Sequence, residues 1–216
     1  GWWPKEPNKV FKKGEMFLPN NNYANRIGCD PFKYDKTKDK RRSMCAAFNY
    51  QMPDPLYPDD KFDDSFTIRY SYRESSTKKA NMDIIKMAWL CGCQVLFERN
   101  VNHWKRDFAE WNCSGFLMWM PGEVEPGIYT DGTGTVVQMI CNYTEAYINQ
   151  FIKKCNFKSL MRKVTGWLDF KVEETQKFDE PMAAGFTLIA VKGKKYSKPQ
   201  DQTRSIQDIM PFRKAV

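Results

Sequence analysis

The first half of the chain is patterned as short strands separated by turn-rich stretches. Apolar or alternating runs of about four to eight residues are typical of strands that bury one or both faces. Such runs occur at residues 25–30, 43–50 and 66–72. Because turn-rich stretches, one of them acidic and rich in proline, separate these runs, they predict a meander of three antiparallel strands.

Helical patterns follow the meander and dominate the second half of the chain. Ser75, Ser76 and Thr77 are candidate N-caps for a helix over about 77–91, and a strand at 93–98 follows it directly. The remaining predicted elements are a helix at 101–112, a strand at 115–120 and helices near 136–155, 159–170 and 179–191. The order of these elements predicts an α/β domain, because strands come first, a β-α-β crossing lies in the middle and helices come last.

Both ends of the chain differ in composition from the predicted domain, which covers residues 25–191. Residues 1–24 are rich in lysine, proline and asparagine, which is typical of an interdomain lead-in. Residues 192–216 form a basic C-terminal tail with few large apolar side chains, as in a flexible arm or a solvated terminus. The chain starts at Gly1 without an initiator methionine, so we expect it to be part of a longer protein.

The composition of the chain indicates which class of partner it binds and in which cellular compartment it lies. The 216 residues are 42% hydrophobic, which suffices for a sizeable core, and no apolar run approaches the roughly 20 residues of a membrane span. The formal charge of +8 favours an anionic partner, nucleic acid before others, with a merely solvated basic surface as the alternative. Seven cysteines in mostly apolar runs, without paired spacing, predict reduced core thiols and therefore a cytoplasmic compartment.

Three acidic positions stand out against this pattern. Asp30 and Glu98 each end an apolar strand, and Asp179 opens the last predicted helix. A carboxylate beside buried apolar surface is costly unless a cation or partner compensates it, and open α/β sheets place ligands at the carboxyl ends of strands. We therefore interpret these acids as metal ligands that meet at one point. Taken singly, Asp30 is also a plausible turn residue and Asp179 a plausible N-cap.

Such a set of acids suits phosphodiester hydrolysis by metal ions. Mg²⁺ prefers hard oxygen ligands, and a pair of ions can activate water and stabilise the leaving oxygen of an in-line displacement. This chemistry requires no catalytic histidine, which fits a chain with the single histidine His103. The position of His103 shortly after Glu98 allows a substrate contact, and the alternative is a polar residue on a helix.

The segments that carry these acids resemble a known family. They are Gly-Cys-Asp-Pro at 28–31, Val-Leu-Phe-Glu-Arg-Asn at 95–100 and Phe-Asp-Glu-Pro-Met-Ala-Ala at 178–184. Their order and spacing resemble the nuclease domain of the large terminase subunit, which belongs to the DNA-packaging motors of tailed bacteriophages and herpesviruses. The resemblance covers about residues 25–191, which is most of the chain.

The resemblance implies an RNase H-like fold, in which a mixed sheet of three antiparallel strands and then parallel strands is flanked by helices. It also implies two Mg²⁺ or Mn²⁺ ions, with Asp30 bridging both, Glu98 binding one and Asp179 the other. Glu180 stands where many relatives carry a second aspartate, and there it would bind metal directly or hold an outer-shell water.

The implied activity is an endodeoxyribonuclease that cuts concatemeric double-stranded viral DNA when packaging starts and when the capsid is full. The implied partners are a terminase ATPase domain, the portal and the small terminase subunit, in the cytoplasm of the infected host cell. The phosphate-binding pattern GxxxxGK[ST] is missing from this sequence, so the ATPase half is not part of this chain.

Cations crowd the connection between the first two predicted strands. They and the histidine are the candidate DNA contacts: Lys33, Lys36, Lys38, Lys40, Arg41, Arg42 and His103. A hairpin there would bring positive charge to a phosphate backbone, although Asp35 and Asp39 weaken the field and a solvated turn is the alternative. Since nothing in the sequence reads base edges, we expect weak sequence preference.

Other functions are compatible with three acids on this fold. A retroviral-type integrase or transposase also uses three carboxylates, but it usually keeps its last two acids closer in sequence than Glu98 and Asp179. A Holliday-junction resolvase is a second nuclease alternative. From another class, the chain could be a non-catalytic module that docks on DNA or on the portal, with structural acids.

Overall fold

A four-stranded mixed sheet forms the centre of the computed structural model, which describes residues 3–35, 43–54, 60–130, 134–152, 167 and 178–192. The strands in the described residues are β1 (Val10–Lys13), β2 (Met16–Pro19), β3 (Asn25–Asp30), β4 (Cys45–Gln51), β5 (Ser65–Tyr72) and β6 (Val95–Phe97). The central sheet has the order β5-β4-β3-β6, in which β3, β4 and β5 are antiparallel neighbours and β6 runs parallel to β3. The predicted meander and the predicted mixed α/β class are confirmed.

Four α-helices are seen in the described part of the chain. They are α1 (Thr77–Cys91), α2 (His103–Glu110), α3 (Thr135–Ile152) and α4 (Asp179–Lys192). The Ser76 side chain caps α1 by accepting a hydrogen bond from the Lys79 amide, and Gly92 ends the helix in the left-handed conformation with φ 61°. The predicted helices at 77–91, 101–112, 136–155 and 179–191 are thus confirmed over the described residues. The one near 159–170 lies outside them, apart from Trp167.

The segment predicted as a strand at 115–120 differs in the structure. Residues Ser114–Phe116 form a 3₁₀ helix, and Leu117 and Trp119 make only isolated parallel bridges. The outer edge of β6 is divided between two chain segments, because the Met118 amide donates to the carbonyl of Val95 and the Ile128 amide donates to that of Phe97. Neither segment can therefore extend into a full strand.

The hairpin of β1 and β2 was not predicted. It docks on the end of α1, where the Phe17 ring lies 4.9 Å from that of Trp89 and the Asn21 amide group donates to the Cys91 carbonyl at 3.0 Å. Its turn contains Gly14 with φ 61°, and a glycine between two short runs is the signal that could have indicated it. The charged residues on both sides of Gly14, namely Lys12, Lys13 and Glu15, hid the alternation.

The two faces of the central sheet carry separate cores. On one face, Ile27, Cys29 and Phe97 pack with α1 and α2. On the other face, Phe48 and Leu96 belong to the cores that α3 and α4 cover. Because side chains alternate along a strand, the fold is a three-layer α/β/α arrangement in which successive residues of β3 face different helices.

Cysteines contribute to both the core and the sheet. Those in the described residues are free thiols, and all except Cys141 are buried, as the sequence predicts for core residues. Cys155 lies outside the described residues. Among the described residues, none of the helices combines the length and the apolar character that a membrane crossing requires.

Helix α4 approaches β3 closely at Gly28. A Cβ atom on Gly28 would lie 2.2 Å from the Thr187 amide nitrogen and 2.7 Å from the Ala183 carbonyl oxygen. Instead, the Gly28 amide donates to the Thr187 hydroxyl oxygen at 3.0 Å. Ten consecutive residues, Pro181–Ala190, are buried, so α4 is enclosed on all sides. This contact fixes the start of α4 relative to the end of β3.

Substitution of Gly28 by alanine is expected to destabilise the fold by about 3 kcal/mol or more, because the added methyl group meets backbone and overpacking forces backbone shifts. Urea unfolding followed by circular dichroism measures the change. Gly14→Ala is the control: its φ of 61° imposes about 1 kcal/mol of strain, but the added Cβ finds nothing within 4 Å. A smaller loss for Gly28→Ala than for this control would contradict the close contact.

Candidate functional site

The ends of β3 and β6 bring two of the predicted acids together. The strands are parallel with Cys29 in register with Phe97, and the Glu98 amide donates to the Cys29 carbonyl at 3.1 Å. Asp30 and Glu98 therefore follow neighbouring positions at the carboxyl edge of the sheet. By strand alternation, Asp30 shares the face of Gly28, which is the face that α4 covers.

Asp30 is the electrostatic centre of the site. Burial raises its pKa well above the ordinary value of 3.8, and the negative charges of Glu98 and Asp179 raise it further. Like charges shift a pKa in this way only when they are close. Glu98 and Asp179 are therefore near enough to Asp30 for their charges to act on it.

Glu98 is held by neighbours that orient its carboxylate. Its pKa is raised by burial and by the charge of Asp179, while hydrogen bonds from Thr130, Asn100 and Asp30 act in the opposite direction. The Asn100 amide group donates to Glu98 at 3.2 Å and to the Thr130 carbonyl at 2.6 Å, and the Thr130 hydroxyl also donates to Glu98. The role of Thr130 was missed, because nothing in the sequence links it to β6.

Asp179 is the first residue of α4 and reaches back to the sheet. Its Oδ2 accepts a hydrogen bond from the Met44 amide at 2.8 Å, just before β4 begins. The buried Pro181 follows within the first turn, where its missing amide hydrogen leaves no donor unsatisfied. Asp179 is therefore fixed between the helix start and the sheet edge that carries Asp30.

Glu180 has a different environment from the other acids. Arg69 of β5 donates to its carboxylate from Nε at 3.1 Å and also from Nη2, which makes a two-pronged pair. Such pairing fixes both partners in one geometry. Direct metal binding by Glu180 would have to compete with Arg69, so its position suits an orienting role better.

Two observations bear on metal binding and they disagree. Within the described residues, no group of three or more histidine, cysteine, aspartate or glutamate side chains is arranged to hold a metal ion. Yet Asp30, Glu98 and Asp179 supply the hard oxygen donors that Mg²⁺ prefers, and no described lysine or arginine forms an ion pair with Asp30 or Glu98. The donor chemistry carries more weight, because burial and the charge of Asp179 already act on both Asp30 and Glu98.

The predicted DNA contacts are only partly described. Lys33 is exposed, with its amine 5.3 Å from the centre of the Tyr34 ring. Arg73 ties the flanks of this connection together by donating to the carbonyls of Tyr34 and Ser43 at 2.7 and 2.8 Å. The other cations of the connection lie outside the described residues: Lys36, Lys38, Lys40, Arg41 and Arg42.

His103 joins α2 to the segment that follows Asp30. Its Nε2 donates to the Phe32 carbonyl at 2.9 Å, which leaves Nδ1 to accept from the Asn81 amide group at 2.8 Å. Burial lowers the pKa of His103, so the neutral ring is favoured. Since both ring nitrogens are engaged within the protein, a DNA contact by His103 would have to break one of these bonds.

Comparison with known proteins adds no assignment. A scan against models of protein families found no match for this chain, and a search of curated proteins found none either.

Replacement of Asp30 by asparagine is expected to stabilise the protein at neutral pH in EDTA. Because the folded-state pKa of Asp30 is raised, the wild type is most stable below the ordinary pKa of 3.8 and loses stability as the pH rises through the raised value. The variant escapes this loss, so its free energy of unfolding should exceed that of the wild type by at least about 1 kcal/mol. Urea unfolding across pH measures the difference, which should vanish at acidic pH.

Asp83→Asn is the matched control, because Asp83 is a surface acid paired with Lys86 at 2.9 Å and its removal relieves no repulsion. It should leave the stability unchanged or slightly lower. A destabilised Asp30→Asn protein at neutral pH would show that the Asp30 carboxylate is a structural group.

Proposed function

We propose that this chain is a metal-dependent endonuclease, the nuclease domain of a viral large terminase subunit, which cleaves concatemeric double-stranded DNA during genome packaging. The observation that carries the proposal is that Asp30 and Glu98 end two neighbouring parallel strands, with Asp179 at the start of α4 near enough for its charge to raise the pKa of both. Groups whose pKa values are perturbed by burial and by specific charged neighbours cluster at functional sites.

The topology supports an RNase H-like fold within the broader α/β class. Three antiparallel strands precede α1, and β6 then returns beside β3 and parallel to it. Asp30 and Glu98 end these two parallel strands, and Asp179 approaches from the last described helix. This is the distribution of acids that the resemblance to terminase nucleases implies.

In this proposal, Asp30, Glu98 and Asp179 would hold two Mg²⁺ or Mn²⁺ ions, with Asp30 as the ligand that both ions would share. When bound, such ions supply an activated water and stabilise the charge of the leaving oxygen. Thr130 and Asn100 orient Glu98 for this role, and Arg69 holds Glu180 beside Asp179. Because Asp30 must be deprotonated to bind metal, its raised pKa makes metal affinity increase with pH.

The substrate follows from the charge of the chain. A formal charge of +8 suits a phosphate backbone, and the candidate contacts are mainly lysines and arginines, which suit phosphate oxygens. We therefore expect cleavage of duplex DNA with little sequence preference. The resemblance alone supports the proposed partners and location. These are a terminase ATPase domain, the portal and the small subunit in an infected cell.

One observation favours a non-catalytic DNA-docking or portal-docking module instead. In the part of the chain that is described, the acids are not arranged as a ready metal site. In such a module, the acids would support the fold and DNA would still be retained by the basic surface.

Cleavage of supercoiled plasmid separates the two functions. The wild type should nick and linearise plasmid with Mg²⁺ or Mn²⁺ and not with EDTA. Asp30→Asn and Asp179→Ala should each lose at least about 100-fold in rate, because metal-ion catalysis contributes several kcal/mol to the barrier. Gel quantification of the nicked and linear forms gives the rates.

Glu180→Gln is the neighbouring control, since it keeps the size of the side chain next to Asp179 and removes only a charge that Arg69 already neutralises. Its loss should be well below that of Asp179→Ala. If plasmid remains intact with both metals while the folded wild type retains DNA, the docking module is the better assignment.

A further inference from the structure

Two cations lie on segments that adjoin Glu98 and were not among the predicted DNA contacts. Arg99 directly follows Glu98, and its amide donates to the Ile128 carbonyl at 2.7 Å. Lys105 lies on the first turn of α2 next to Trp104, whose indole nitrogen donates to the Glu98 carbonyl at 3.2 Å. Both cations are thereby tied to the position of Glu98.

Both cations are held by one acidic loop, residues 121–126. Arg99 pairs with Glu123 at 2.7 Å, and Lys105 pairs with Glu125 at 2.6 Å. Lys105 and, to a smaller degree, Arg99 lower the pKa of Glu125, so both cations act on the same carboxylate. The glutamates are the more exposed partners, at 40% and 55% against 19% for Arg99 and 29% for Lys105.

The loop is built to project from the body. Glycines with positive φ, Gly122 at 81° and Gly127 at 92°, lie near its two ends, and Val124 between the glutamates is 85% exposed. Exposed ion pairs contribute little to stability, whereas an arginine or lysine gains strongly from a phosphate oxygen. A DNA phosphate can therefore replace each carboxylate at small cost to the fold.

We propose that Arg99 and Lys105 bind the DNA backbone next to the catalytic acids, and that Glu123 and Glu125 occupy these cations until DNA displaces them. The loop then acts as an internal competitor that weakens non-productive DNA binding. This inference rests on the proposed function for DNA as the ligand and deepens it by naming the contacts and their regulation.

The test is a cycle of variants whose affinity for a fluorescein-labelled DNA duplex is measured by anisotropy in EDTA, where no cleavage occurs. Glu123→Gln with Glu125→Gln should bind about tenfold more tightly than the wild type, because two competing ion pairs are removed. Arg99→Gln with Lys105→Gln should bind more weakly and reduce the salt slope of log affinity by about two. In the quadruple variant, the gain from the glutamate substitutions should disappear.

The matched control removes two acids elsewhere. Asp83→Asn with Glu110→Gln makes the same change in net charge and releases Lys86 and Lys78 from ion pairs of 2.9 and 2.6 Å. It should tighten binding by less than about twofold, because these pairs lie on α1 and at the opposite end of α2 from Lys105. Equal gains in both double variants would reduce the effect to net charge and overturn the proposal.

Two further outcomes would overturn it: wild-type affinity in the variant that lacks both cations, or a glutamate effect that persists undiminished in the quadruple variant. Plasmid cleavage with Mn²⁺ is measured separately on the same proteins. If the gain from the glutamate substitutions depends on Arg99 and Lys105 but no cleavage is seen, the nuclease assignment is contradicted and the contact assignment stands. If the protein cleaves plasmid but the gain from the glutamate substitutions does not depend on Arg99 and Lys105, only the contact assignment is contradicted.

Discussion

The arrangement of the site depends on the contact between the backbone of β3 and helix α4. Gly28 allows Ala183 and Thr187 to approach a strand more closely than any side chain would permit, and the Thr187 hydroxyl accepts a hydrogen bond from the Gly28 amide. The start of α4 is thereby fixed beside the end of β3. Asp179 can then lie close enough to Asp30 to raise its pKa, although the two are distant in sequence.

The position of these acids lowers the stability of the fold but suits the proposed function. Burial and like charge both oppose ionisation of Asp30 and Glu98, so the folded protein carries an unfavourable electrostatic term at neutral pH. The surrounding donors, Thr130, Asn100 and the Met44 amide, compensate part of it. Proteins retain such unfavourable arrangements mainly where a ligand or a reaction uses them, which is why the site supports a catalytic interpretation.

The sequence was informative where the determining interactions are local. The cap at Ser76 and the glycine at 92 bounded α1, and the acids at strand ends were recognisable from the apolar runs that precede them. Partners that are far apart in sequence could not be predicted: Thr130 is 32 residues from Glu98, Arg69 is 111 from Glu180 and Met44 is 135 from Asp179. Their positions follow from strand order and helix packing, which periodicity does not specify.

The most direct test of the central claim is a crystal structure of the protein soaked in Mn²⁺, with the metal located by anomalous scattering. We expect anomalous peaks in contact with the carboxylates of Asp30, Glu98 and Asp179. Peaks confined to other acids, such as the Asp60 and Asp63 pair beside Lys5, would contradict it. So would a crystal saturated with Mn²⁺ that shows no anomalous peak at the carboxylates of Asp30, Glu98 and Asp179.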